Sequence, residues 1–308
     1  MPAPRRSDRA YRNVARAVRP ILFAMTRPDW HGGEHLPADR GFIAAANHMT
    51  NVDPLTFAHY LYDHGFAPKI LAKSSLFSVP VLGPVLRVTG QIPVYRNTAQ
   101  AGDSLRAAVD AVAAGECVAV FPEGTLTRDP DLWPMVGKTG VARLALTTRA
   151  PVIPIAQWGA QHLLGQYAKV LKPLPRKRVT VVAGPPVDLD DLYGRPLDTA
   201  TLREATERVM AAITLLLQDV RGGSAPAVRF DPRRAAARTG DTLRADDDAL
   251  VGPASPEPEP EPAPASPAPA SPALDAAATS PEDATPGEPD GAPPAADHDT
   301  PAPGQGAA

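Results

Sequence analysis

The 308 residues carry 31 Lys and Arg against 34 Asp and Glu, a formal charge of −3 that hides a division along the chain. Residues 1–222 hold 26 basic and 19 acidic side chains, residues 223–308 hold 5 and 15, so a basic part precedes an acidic one. Of the 38 prolines, 16 follow residue 252 in runs nearly devoid of Leu, Ile, Val and aromatic residues, which excludes a packed core there; 223–308 reads as a disordered tail.

Residues 8–27 repeat with a helical period. Tyr11, Val14, Val18, Ile21, Leu22 and Met25 fall on one arc, with Arg9, Arg12, Arg16 and Arg19 opposite. Such a helix suits a membrane surface, with arginines reaching anionic phosphates, and equally suits packing on the domain. Pro20 is expected to kink or divide it. No run of 18 apolar residues could span a bilayer, and the N-terminus has no apolar signal core.

From residue 41 onward, apolar runs at 41–46, 69–72, 90–95, 117–121, 152–156 and 178–183 read as strands, and 53–63, 99–114 and 198–221 as helices. The alternation predicts a single α/β layered domain over 28–222, with a mixed, largely parallel sheet flanked by helices. Cys117, the single cysteine, lies in an apolar run and reads as a small buried strand residue; no disulfide is possible within one chain.

In such sheets, ligand sites form beyond the carboxyl ends of the strands, and three polar clusters begin where a predicted strand stops. In Asn47-His48-Met49-Thr50-Asn51-Val52-Asp53-Pro54, a carboxylate five residues after an imidazole can hold one ring nitrogen and leave the other to accept a proton. Asp53 before Pro54 also reads as a plain helix cap. Arg96 ends the run from Gly90 and could present its fork to a phosphate, or be merely solvated. Phe121-Pro122-Glu123-Gly124-Thr125-Leu126-Thr127-Arg128 reads either as a turn whose N–H groups cradle an anion or as an ordinary strand-to-loop turn. Beyond the single His48/Asp53 pair, no segment has metal-ligand spacing.

As an ordered set, Asn47-His48-x4-Asp53, Gly90-x-Ile92-Pro93-Val94-x-Arg96, Phe121-Pro122-Glu123-Gly124-Thr125 and Val152-Ile153-Pro154-Ile155 resemble the motifs of the glycerolipid acyltransferases, the family of 1-acylglycerol-3-phosphate O-acyltransferase. Lys73-x-x-Leu76-Phe77-x-x-Pro80-x-x-Gly83 and Lys138-x-Gly140 are similar to its connecting segments, and the likeness covers about residues 28–185. The resemblance implies a glycerol-3-phosphate acyltransferase-like fold, with His48 as general base and Asp53 as its orienting partner. It also implies that Arg96 and the Glu123-Gly124-Thr125 turn bind the phosphate and glycerol of a lysophospholipid acceptor, and that Pro154 shapes an acyl pocket. Leu126-Thr127-Arg128 departs from the family's usual Arg-Ser, which leaves the phosphate between Arg96 and Arg128.

On this reading the chain acylates 1-acylglycerol-3-phosphate in phospholipid synthesis, from acyl-CoA or acyl-carrier protein as co-substrate, with no cofactor or metal. It would act as a peripheral protein at the cytoplasmic face of a membrane, on anionic lipids. The rival readings are another lysophospholipid or a glycolipid as acceptor, and a lipid-binding protein without catalysis. Nucleic acid is not an expected partner, because aromatic residues make up only 5% and no recognised module is present. Arg176-Lys177-Arg178 reads as a solvated turn or a second contact with anionic lipid.

Overall fold

The computed structural model describes residues 9–95 and 101–239. Its elements run α1 (Arg9–Met25), β1 (Thr26–His31), β2 (Phe42–Ala46), α2 (Asp53–Asp63), β3 (Lys69–Lys73), α3 (Leu82–Val88), β4 (Ile92–Val94), α4 (Ala101–Ala113), β5 (Cys117–Val120), α5 (Gly140–Thr148), β6 (Val152–Trp158), α6 (Ala160–Leu163), β7 (Lys177–Ala183), α7 (Thr199–Arg221) and α8 (Pro232–Thr239).

The strands form one seven-stranded sheet in the order β1-β7-β6-β2-β5-β3-β4. Every pairing is parallel except β6 with β7, which gives the mixed, largely parallel sheet expected from the alternation of strands and helices. β2 lies at the centre and all five of its residues are buried. Successive side chains of a strand point to opposite faces. Phe42, Ala44 and Ala46 therefore join Phe57, Tyr60 and Leu61 of α2 on one side of the sheet, while Ile43 and Ala45 join Val141, Leu144 and Val209 of α5 and α7 on the other. Burying each large side chain in these layers contributes about 1.5–3 kcal/mol. Cys117 is buried as predicted, and burial pushes its thiol well above the usual range.

The helix ends follow local chemistry. Asp198 caps α7 by accepting the Thr201 N–H at 2.8 Å, and Gly222, at φ 69°, closes it in a left-handed conformation that glycine adopts without strain.

Several expectations are corrected. The N-terminal helix stops at Met25, and Thr26 and Arg27 belong to β1, an unpredicted strand. β1 is an edge strand, where Pro28 removes no ladder bond from a central position. Pro20 does not divide α1, whose buried residues Tyr11, Ala15 and Leu22 pack on the domain, while Ile21, expected on the apolar arc, is 58% exposed. Arg19 turns inward rather than outward. Its guanidinium meets Asp63 at 2.6 Å, and Trp30 Nε1 donates to the same carboxylate at 2.9 Å. No helix among the described residues is long and apolar enough to cross a membrane.

The tail expected from residue 223 is corrected over its first residues. Phe230 O accepts the Val136 N–H at 3.0 Å, Ala225 N–H donates to Gln218 at 2.9 Å and Arg229 pairs with Glu207, so 223–239 folds back on the domain before the proline-rich composition sets in. Residues 240–308 lie outside the described residues.

Candidate active site

Parallel pairing brings the first and third motifs together. β2 runs beside β5 with Ala45 opposite Val120, so the segments that follow both strands leave the sheet at the same end. β3 runs parallel on the far side of β5, which adds Lys73 to that end.

His48 Nδ1 lies 3.0 Å from Asp53 Oδ2. Asp53 is fully buried, and the same oxygen accepts the backbone N–H groups of Met49 and Thr50, the latter at 2.7 Å. A carboxylate so engaged only accepts, so the histidine proton resides on Nδ1 and the lone pair on Nε2. Asp53 does not cap its own helix. It is the first residue of α2, where the helix dipole favours an anion, and its side chain reaches back to the loop. The imidazole stacks on Phe121 with centroids 4.1 Å apart and is 14% exposed, facing a cavity of about 400 Å³.

The loop under His48 is held by amides. Asn47 Nδ2 donates to Gln157 O at 3.1 Å, Gln157 N–H donates to Asn47 Oδ1 at 2.9 Å, and Gln157 Nε2 donates to Asn47 O at 2.9 Å. Both residues are buried. Thr127 N–H adds a bond to His48 O at 2.7 Å.

The cavity wall is apolar along α1, through Val14, Val18 and Leu22, and along α2 and α3, through Leu55 and Leu86; its polar end holds His48, Lys73, Gly124 and Thr125. Gly124 has φ 71°, so the turn needs glycine for its conformation; a side chain there would meet only the flexible end of Lys138.

The Acyltransferase family model matches residues 27–158, which contain His48, Asp53, Lys73, Gly124, Thr125 and Gln157 but not the α1 wall of the cavity. A chloroplastic 1-acyl-sn-glycerol-3-phosphate acyltransferase of Brassica napus is 30% identical over 46% of this chain and 40% of its own, and one from Borreliella burgdorferi is 31% identical over 42% and 51%. The chain thus spans about half or less of the length of these two relatives. With the 1-acyl-sn-glycerol-3-phosphate acyltransferase of Bacillus subtilis the identity is 30%, over 48% of this chain and 71% of the relative. The chain belongs to the acyltransferase family.

The fold agrees with that membership. The crystal structure of the 1-acyl-sn-glycerophosphate acyltransferase from Thermotoga maritima superimposes with a TM-score of 0.52 at 22% identity, over 70% of this chain and 81% of that one.

As a family member, the chain places its expected site residues unevenly. His48 and Asp53 meet, and Gly124 and Thr125 line the cavity beside them. Arg96 lies outside the described residues. Arg128 is half-buried and is not among the residues lining the cavity. Pro154 sits within β6, opposite Ala45, and does not line this cavity.

Glu123 is placed differently from the expected contact with substrate. It is 1% exposed, and its two carboxyl oxygens accept the N–H groups of His48 and Met135, each at 3.0 Å. It positions the backbone of the histidine from beneath. Gln157 and Lys73 were not expected as site residues. A glutamine inside the apolar run 152–158 and a lysine ending a strand were the visible signals.

Burial pushes the Glu123 carboxyl up to about 8 from the ordinary 4.5, against the lowering effect of the two N–H donors. Between those values the folded protein holds a proton that the unfolded chain has lost. Stability from this group is therefore full at low pH and falls as pH rises through that window, by at most about 1.4 kcal/mol per pH unit. Glu123→Gln should flatten that slope in urea unfolding measured across the range, although the amide loses an acceptor and lowers stability overall. A variant with the wild-type slope would remove this assignment.

Proposed function

We propose that the chain transfers a fatty acyl group from a thioester, acyl-CoA or acyl-carrier protein, to the free hydroxyl of 1-acylglycerol-3-phosphate. The observation that carries this reading is the His48–Asp53 pair at the polar end of an apolar cavity that also holds Lys73.

In this mechanism the acceptor hydroxyl attacks the thioester carbonyl while Nε2 of His48 takes its proton. The tetrahedral oxyanion then collapses, the C–S bond breaks, and the imidazolium returns the proton to the departing thiolate. No covalent enzyme intermediate forms. Lys73 meets the phosphate of the acceptor, Gly124 and Thr125 lie against the glycerol, and the wall from α1 to α3 takes the acyl chain. The cavity volume falls within the range of about 300–1,000 Å³ usual for small-molecule sites. The protein acts as a peripheral protein on the cytoplasmic face of a membrane.

The test is thiol release by the purified chain with acyl-CoA and a panel of acceptors. Lysophosphatidate is expected to support turnover above lysophosphatidylcholine and a glycolipid. Lys73→Met should raise the KM for lysophosphatidate about tenfold, the worth of one charge-assisted contact, and leave that for acyl-CoA near wild type. Absence of thiol release with every acceptor would refute catalysis and favour a lipid-binding protein.

A further inference from the structure

We infer that the loop of residues 165–176 is a docking surface for an anionic lipid bilayer, set beside the active-site cavity. The inference rests on the reading of that cavity as the site of a lipid acceptor, since a bilayer matters only to a substrate that resides in one.

The loop projects between α6 and β7 from a fixed base. Lys172 N–H donates to Leu163 O at 2.8 Å, and the Arg176 guanidinium donates to Thr26 O at 2.7 Å, just beyond the end of α1. Leu163 and Leu164 pack against Val52, in the His48–Asp53 loop, and against Met25. Gln166 Nε2 donates to Thr127 O, which ties the loop to the turn that follows β5. The loop is thus stapled to both segments that build the catalytic end.

Its outer face is apolar and basic at once. Tyr167 is 59% exposed, Val170 73% and Leu174 77%, a costly display for a segment that could have folded these side chains inward. Lys169, Lys172 and Lys177 alternate with them, and residues 163–178 contain no acidic residue. Among the described residues neither Lys169 nor Lys172 meets a carboxylate. A hollow of about 860 Å³ at the loop's foot is lined by Lys172, Arg176, Lys177 and Arg178 and by Asp29, which pairs with Arg178 at 2.9 Å, so the two lysines and Arg176 are the cations it offers to headgroup phosphates.

Aliphatic and aromatic side chains that enter the acyl boundary, with lysines at headgroup level, fit an anionic membrane surface. A soluble polyanion would need the cations alone.

The experiment is flotation of the full chain with vesicles of phosphatidylcholine, alone or mixed with phosphatidylglycerol. It is run with the wild type, Lys169→Gln/Lys172→Gln and Val170→Ser/Leu174→Ser. All four altered side chains belong to the loop and not to the catalytic or substrate-binding groups.

Each cation near an anionic surface is worth about fivefold in partitioning, so the lysine variant should bind the mixed vesicles about 25-fold less tightly and neutral vesicles as wild type does. The apolar variant should lose about tenfold or more on both. Turnover of a short-chain lysophosphatidate dispersed as monomers should be unchanged in either variant.

Wild-type partitioning by both variants overturns the inference. So does unchanged vesicle binding accompanied by a raised KM for acyl-CoA, which would make the loop a donor-phosphate site, or by weakened capture of acyl-carrier protein. Failure of the wild type to turn over the dispersed substrate would instead refute the proposed function, whatever the vesicles report.

Discussion

His48→Ala should lower kcat/KM for acyl transfer by about 10³-fold, the middle of the range of about 10²–10⁴ for a positioned base. The imidazole contributes little else. It is partly exposed at the cavity, its hydrogen bond goes to Asp53, and its ring rests on Phe121. Losing that bond and stack costs about 1–2 kcal/mol, so the unfolding midpoint should shift by only a few degrees. Thiol release under saturating acyl-CoA and a parallel melt separate the two effects. A variant within tenfold of wild type would mean that another group takes the proton.

Asp53→Ala should act on both axes. The carboxylate is fully buried and accepts from Met49 N–H, Thr50 N–H, the Thr50 hydroxyl and His48 Nδ1, so removing it strands three N–H donors around a buried position, while the hydroxyl can rotate away. Each stranded donor costs about 1–3 kcal/mol, and the loss should total about 3–5 kcal/mol once the loop relaxes. Activity should fall at least as far as in His48→Ala, because the imidazole loses the bond that sets its tautomer. Asp53→Asn keeps the shape and one acceptor oxygen. It should recover part of the stability and little of the rate, since an amide N–H confronts Nδ1–H or forces the ring to turn. If Asp53→Ala unfolds at the same urea concentration as wild type, the carboxylate does not hold the loop in solution.

The central strands were legible because they are buried on both faces. Runs such as Phe42–Ala46 and Cys117–Val120 cannot be mistaken for surface segments, and their parallel order followed from the helices between them. The meeting of His48 and Asp53 was legible for the same reason: a polar cluster directly after a buried strand must lie at the strand's carboxyl end. β1 was hidden, because an edge strand with Pro28 and Asp29 carries no apolar alternation. α5 escaped notice because its pattern, Val141, Ala142, Leu144, Ala145, merges with the apolar run of β6 that follows a left-handed Arg149.

The roles of Glu123 and Arg19 depend on direction rather than on position. A carboxylate after a strand can point to the cavity or beneath the neighbouring loop, and an arginine on a helix's polar face can bend back when Asp63 waits beside it. Gln157 shows the converse. A lone amide inside a run of apolar residues implied a buried partner, but only the β2–β6 pairing identifies Asn47 as that partner.

α1 joins the domain through side chains and not through the sheet, and six of its residues, Val14, Val18 and Leu22 among them, line the cavity. On the proposed function, part of the acyl capacity is therefore encoded apart from the His48–Asp53 pair. On the same proposal, trimming Val14 or Val18 would enlarge the space for longer hydrocarbon tails while His48 keeps its bond to Asp53, so drift in the N-terminal helix would retune tail length without rebuilding the chemistry.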